Sequence, residues 1–384
     1  MGMNIKAPQV QARDRPRAHR GAAANPPLTI SFSGSAQVMG HPDDPISPPS
    51  RQRLRELDRL LVKAVADLHG PATRVERLGS AGRLLGLLLL LVGATAAYWL
   101  LPAGFAGCLA VLLAGVAYAL LLIATHEMVH GTLFGSRSLE YGLGCLLSWP
   151  MAWPFATYAR LHLLHHRWNG VDGRDPERTQ HLPADPLPAS PLERWLQRHP
   201  FALRCLLLGG VGLILDTAGQ GWRLRAVDPR LDRARRLDGA GVILLQSCLL
   251  ALAIRQGVLL RYALFWLVLE RVIGVVVQYR GLVEHHGLWR QAEGRAGADP
   301  LPRRLRQLAT SRDVACGPWL NALMGGLPHH STHHAFPALA TARLPEATLR
   351  LHAVLRSQRW PLPPRLKTYA TALRETALLE EEVA

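Results

Sequence analysis

The sequence predicts an all-α, polytopic helical membrane protein, with about four transmembrane helices in two hairpins and a histidine-rich cap on the cytosolic side. Three observations carry this reading. Residues 84–125 contain no charged side chain, whereas residues 1–80 are polar and basic. A second apolar pair follows near 239–254 and 258–278. Of the seventeen histidines, eleven gather in four clusters just beyond the proposed spans. The bulk numbers agree, since only 19% of the 384 residues are charged, against roughly 25% in a soluble domain. The net charge of +16, from 44 Lys+Arg against 28 Asp+Glu, comes with long apolar runs that a nucleic-acid binder does not need.

Residues 1–50 are rich in Pro, Ala, Arg and Ser and lack periodicity, as in a disordered basic tail. In the segment 51–80, Leu54, Leu57, Leu60, Leu61, Ala64, Val65 and Leu68 recur over 51–78 as on an amphipathic cytosolic helix. That helix suits either an anionic headgroup layer or the protein's own cytosolic domain. The membrane domain is expected over 81–350 and a helical C-terminal tail over 351–384. Because the first apolar run begins only at Leu84, no secretory signal is expected.

Leu84–Leu101 and Ala103–Thr125 are each long enough to cross about 30 Å of hydrocarbon, with Pro102-Ala103-Gly104 as the turn. In the second hairpin Arg261, Glu270 and Arg271 interrupt the second member. Arg261 can snorkel to the interface, while Glu270 and Arg271 either pair within the bundle or mark where the helix leaves it. Stretches 139–157 and 201–215 are apolar but are expected to lie along the interface or re-enter, and the Pro-rich 183–191 is a loop. Arg223, Arg225, Arg230, Arg233, Arg235 and Arg236 put segment 219–238 on the cytoplasmic side, as Arg13, Arg15, Arg17 and Arg20 do for the tail.

Four clusters carry the chemistry. His126-Glu127-Met-Val-His130 places two rings on one helix face, and His162, His165 and His166 share a face at i, i+3 and i+4. Glu284-His285-His286 follows the last apolar run, and His329-His330-Ser-Thr-His333-His334 contains a second HxxHH. Two hairpins place an even number of spans between all four, so they can share one membrane face. Imidazole suits zinc, copper, iron and nickel. The three boxes and one histidine of the third cluster supply nine ligands, too many for one ion and suited to two. The cysteines Cys108, Cys145, Cys205, Cys248 and Cys316 have no CxxC spacing and read as buried hydrophobes, not as a disulfide framework, zinc site or iron–sulfur ligands.

These residues resemble the membrane fatty acid desaturase and hydroxylase superfamily over roughly 84–350. His126-Glu-Met-Val-His130-Gly131-Thr-Leu-Phe134 is similar to its first box, and His162-Leu-Leu-His165-His166 with the trailing Asp175-Pro176 to its second. Arg280-Gly-Leu-Val-Glu284-His285-His286-Gly287 resembles its isolated histidine. Asn321, Gly325-Gly326, His330-Ser-Thr-His333-His334-Ala-Phe336-Pro337 and Leu344-Pro345 resemble the third box and its tail. Glu127 stands where many acyl-lipid desaturases have Asp, and Ser331-Thr332 where an acidic residue is common.

The resemblance implies a helical membrane protein with a cytosolic cap holding two iron ions. Its ligands would be His126, His130, His162, His165, His166, His285, His330, His333 and His334. Glu127 and Glu284 would orient rings or bind water, while His286, His329, His181 and His199 would be bystanders. The implied reaction is oxygen-dependent desaturation of a fatty acyl chain in or at the membrane. A hydroxylase, acetylenase or oxidative decarboxylase would use the same boxes. Electrons would come from a separate carrier, a ferredoxin or cytochrome b5-type protein, because the chain has no ferredoxin-type cysteines and His41-Pro42 lacks the Gly-Gly of a fused haem motif. An intramembrane zinc protease would explain only His126, Glu127 and His130. A His-rich metal transporter would place its ligands within the bilayer.

Overall fold

The computed structural model describes residues 50–102, 104–178, 207–288 and 301–372. The basic tail before residue 50, the loop 183–191, Cys205, His181 and His199 lie outside the described residues. Helix α1 (Arg51–Ala64) leads into α2 (Arg74–Leu100) and α3 (Phe105–His130). Then come α4 (Arg137–Ser148), α5 (Phe155–Trp168), α6 (Gly209–Arg223), α7 (Arg230–Arg255) and α8 (Leu259–His285). The remainder comprises α9 (Arg303–Thr310), β1 (Asp313–Val314), α10 (Pro318–Leu323), α11 (His330–Ala335), α12 (Leu344–Ser357) and β2 (Arg365–Leu366). The two short strands pair in parallel.

Among the described residues α2, α3 and α7 are long and apolar enough to cross a membrane. Helix α3 is the central one, packed on α2, α4 and α8. Its small residues Ala110, Ala114, Gly115 and Ala117 let neighbours approach closely. Helix α2 keeps only Leu87 and Ala94 fully buried, packs Leu84 and Leu91 partly against the core, and exposes Leu78, Leu85, Leu88, Leu89 and Leu90, as a lipid-facing helix does.

Helix α8 is as long as α2, at 27 residues, but carries the three charges noted in the sequence. Each has a partner. Arg261 donates to the carbonyls of Tyr98 and Leu101 at the C-terminal end of α2 and lies 5.0 Å from the Tyr98 ring centre, where a helix dipole favours a cation. Glu270 is fully buried, 2.6 Å from Arg271, and accepts the Val211 N–H at 3.1 Å. Glu270 and Arg271 therefore pair with each other.

Helix α6 occupies part of the 201–215 stretch and presses on α8 through glycines. A Cβ on Gly274 would fall 2.1 Å from the Gly209 carbonyl carbon. The Gln278 amide donates to the Gly209 carbonyl at 2.7 Å.

The amphipathic helix expected over 51–78 ends at Ala64, and Gly70-Pro71 lies in the turn before α2. Proline and a glycine at φ 130° do not continue a helix. Leu54, Leu57 and Leu61 pack against Leu305, Leu344 and Leu351, so α1 covers the protein's own cap. Helix α12 ends at Ser357, short of the helical tail expected over 351–384, because Pro361, Pro363 and Pro364 lack the N–H that a helix needs. Arg343 donates to both Glu76 carboxylate oxygens at 2.7 Å and to the Leu68 carbonyl at 2.7 Å, clamping the cap to the start of α2.

The Gly209–Gly274 contact makes a sharp expectation. Gly274→Ala should destabilise by about 1–3 kcal/mol through overpacking. Gly239→Ala, on a helix with nothing within 4 Å of the added carbon, should be neutral or stabilising. Thermal unfolding of both variants in the same detergent checks this.

Candidate metal centre

The sequence builds the site by ending or starting four elements at one place. Helix α3 ends at His130, and Gly131 caps it in the left-handed conformation at φ 70°, which suits glycine. The loop behind it is pinned by Glu140. Its buried carboxylate accepts from the N–H groups of Leu133, Phe134, Gly135 and Ser136 at 2.8–3.3 Å. Asp238 of α7 fixes the start of α5, accepting from Ala156 N–H at 3.0 Å and from Thr157 N–H and hydroxyl at 2.7 and 2.8 Å. Asp313 accepts the Ser331 N–H at 2.8 Å and so fixes α11.

All nine histidines singled out in the sequence come together in two adjacent groups. His126, His130, His162, His166 and His333 form one; His165, His285 and His334 form another, and His285 is also grouped with His330 and Glu284. Within each group the potential ligand atoms lie within 4.8 Å of one another. The groups touch where the His166 and His334 rings stack at 4.2 Å. His286 and His329 belong to neither group.

The outward nitrogens are held from behind. His162 Nδ1 is 2.7 Å from Glu177 and His165 Nδ1 is 2.8 Å from Asp175. His334 Nδ1 is 2.8 Å from Gln307 Oε1, and His285 Nδ1 is 3.1 Å from the Thr310 carbonyl. Gln307 is itself fixed, donating to the His166 carbonyl at 3.0 Å and accepting from Asn169 at 3.1 Å. Such partners set ring tautomer and orientation.

Burial drives His166, His330, His333 and His334 well below the ordinary imidazole range, helped by repulsion between neighbouring rings. Burial thus favours the neutral imidazole, the form that can bind a cation. His165 goes the other way, to about 9: burial opposes its charge, but the Asp175 and Glu177 carboxylates prevail. Glu177 is brought down to about 2 against its burial by His162 and His165.

The inward nitrogens fit a metal. Nε2 of His126, His130, His165, His333 and His334 is buried without a hydrogen-bond partner. Leaving a buried polar group unsatisfied costs about 1–3 kcal/mol, so five in one place call for a shared ligand. His162 and His166 Nε2 are 3.0 Å apart, and His285 and His330 Nε2 are 2.9 Å apart. These are roughly the separations of two nitrogens each about 2.1 Å from one ion.

Glu284 Oε2 is 3.4 Å from His330 Nε2, within reach of the second group. Glu127 points elsewhere: it is buried in a 2.7 Å ion pair with Arg83 of α2. Sequence reasoning missed Glu177, Gln307, Glu140, Asp238 and Asp313. Glu177 directly follows the noted Asp175-Pro176 and was within reach of the motif, and Glu140 acts only four to seven residues away; Gln307, Asp238 and Asp313 act across longer separations with no local signature.

A cavity of about 540 Å³ opens beside the groups. His126, His162, His285 and His330 face one part of it, and Leu122, Met151, Leu213, Ile273 and Val277 line the rest. A largely apolar cavity that meets histidine groups able to hold metal, at the ends of long apolar helices, suits a lipid substrate. The family model described as fatty acid desaturase matches residues 103–365, and the chain belongs to that family. Membership makes it an oxidoreductase with a lipid substrate and a membrane context. Comparison with curated proteins yields no match.

The contacts behind the rings predict that Asp175→Asn weakens metal binding by about 10–100-fold. Asp172→Asn, which only breaks a surface pair with Arg174, should leave it unchanged. Competitive metal titration of the purified variants distinguishes the two.

Proposed function

We propose that the protein is an oxygen-dependent desaturase of fatty acyl chains, with two iron ions held by the nine histidines. The observation that carries this reading is the gathering of nine histidine rings, five of them with the Nε2 unpartnered, beside a largely apolar cavity. His126, His130, His162, His166 and His333 would hold one ion; His165, His285, His330 and His334, with Glu284 in reach, the other. Bound there, iron supplies the activation of O₂ that removal of hydrogen from an unactivated C–H bond requires.

The chain's own residues do the rest. Asp175, Glu177, Gln307 and the Thr310 carbonyl keep the rings aimed inward. Leu122, Met151, Ile273 and Val277 receive the acyl chain and exclude water. A single-zinc protease would use two of the nine rings, and a transporter would need ligands along a path within the bilayer.

Helix α8 is read as the fourth span, its charges answered within the bundle. The arginines flanking the turn between α6 and α7 argue for a cytosolic site, since Asp228 in that turn is 2.5 Å from Arg160 of the histidine-bearing α5. A separate acidic electron carrier would dock on this basic side.

Lipid mass spectrometry of cells expressing the protein tests the reaction. Acyl species two hydrogens lighter should appear in air and vanish without oxygen. They should also vanish, together with at least half of the bound iron, in His333→Ala. A gain of one oxygen atom in place of hydrogen loss would make the enzyme a hydroxylase on the same site.

A further inference from the structure

Arg280 is not accounted for by metal ligation. It sits on α8 five residues before His285 and is only 9% exposed. Its Nε and Nη1 are buried without hydrogen-bond partners, and Nη2 has only a long contact of 3.4 Å to Glu284 Oε2. A buried guanidinium is an expensive group to leave with open donors. It also lines the cavity, beside Tyr158, whose ring stacks on His162 at 5.5 Å.

Its distance from the candidate metal ligands is bounded by the structure. Glu284 Oε2 is 3.4 Å from Arg280 Nη2 and also 3.4 Å from His330 Nε2. Two legs of 3.4 Å put the guanidinium nitrogen at most 6.8 Å from that ligand nitrogen. Much of the apolar lining lies the other way, since Ile273 and Val277 precede Arg280 along α8 and Leu122 precedes His126 along α3, with Glu270 and Gln278 beside them.

We propose that Arg280 binds the oxygen-bearing end of the acyl substrate, so that the chain enters tail-first and is oxidised close to its head. This rests on the acyl reading of the cavity. Arginine is a pure donor whose planar fork matches a carboxylate or a carbonyl oxygen. A tail that points away from the histidines into the apolar part leaves only the head-proximal carbons beside the metal groups. A separation of 6.8 Å is covered by on the order of five bonds of about 1.5 Å. The carbon attacked therefore lies within the first several positions, not in the middle of the chain.

The test uses the purified, metal-loaded full chain in nanodiscs, with palmitate, methyl palmitate and hexadecane as probes. Wild type should bind palmitate, its ester or both at least tenfold more tightly than hexadecane. In Arg280→Gln that preference should collapse while hexadecane binding is kept, and Arg280→Lys should restore part of it. Preference for palmitate over its ester assigns a free carboxylate, and equal binding assigns the acyl carbonyl. Equal affinity for palmitate and hexadecane in wild type overturns the proposal, whatever the fate of the variants. So does an Arg280→Gln protein that retains the wild-type preference.

Palmitate deuterated at carbons 2–5 or at carbons 9–12 gives a second readout that needs no substitution. Deuterium loss confined to the mid-chain label overturns the tail-first placement. Failure of the acyl reading itself is distinct: wild type would then bind none of the three probes.

Discussion

Nine imidazoles gather at one place, eight of them buried and His130 partly so, and each must have its two nitrogens satisfied. One nitrogen of His162, His165, His285 and His334 is answered from behind by a carboxylate, an amide or a carbonyl. The inward nitrogens are answered only by each other or by a shared cation. Much of the surrounding structure serves this requirement. Glu140 pins the loop after α3, Asp238 caps α5, Asp313 fixes α11, and Gln307 ties α9 to both α5 and α11. A ring displaced by one helical residue would move about 1.5 Å along the axis and turn about 100°, enough to remove it from its group.

The parts legible in the sequence were those with local periodicity. The i,i+4 spacing of His126 and His130 and the i,i+3,i+4 spacing of His162, His165 and His166 give shared faces wherever the segment is helical. Their grouping with His285, His330, His333 and His334 could be inferred from span parity alone. What stayed hidden were the groups that hold the rings. Gln307 is 141 residues from the His166 carbonyl it binds, and Asp238 is 81 residues from Thr157. Glu127 shows the converse error. Its place inside an HExxH box suggested that it serves the rings, yet Arg83, 44 residues earlier on α2, takes its carboxylate.

On the proposed reading of α8 as a fourth span, there is a physical reason why it falls outside the three helices that hydropathy selects. A hydropathy window charges each ionisable residue the full cost of leaving water, as though it entered lipid alone. Arg261, Glu270 and Arg271 enter already partnered, by the exposed carbonyls that end α2, by a backbone N–H of α6 and by each other. The cost of desolvation is then offset within the bundle. The same partners hold α6 and α2 against α8, so the charges that blur the span in the sequence set its packing in the fold.

The histidines come both from the ends of long helices and from the cap, so membrane domain and cap must keep a fixed offset. Two arginines do this at different heights on the structure. Arg343, beside α12, grips both oxygens of Glu76 and the carbonyls of Leu68 and Pro71, locking the turn that precedes α2. Arg83, on α2, pairs with Glu127, the residue next to His126. The two contacts connect α12, through α2, to the histidine-bearing end of α3. Because Glu127 is flanked by ligand candidates on the same turn of helix, its pair with Arg83 sets the rotation of α3 as well as its height. That explains a buried carboxylate in the first box that faces away from the other rings: it orients the helix that carries His126 and His130, without touching either ring's inward nitrogen.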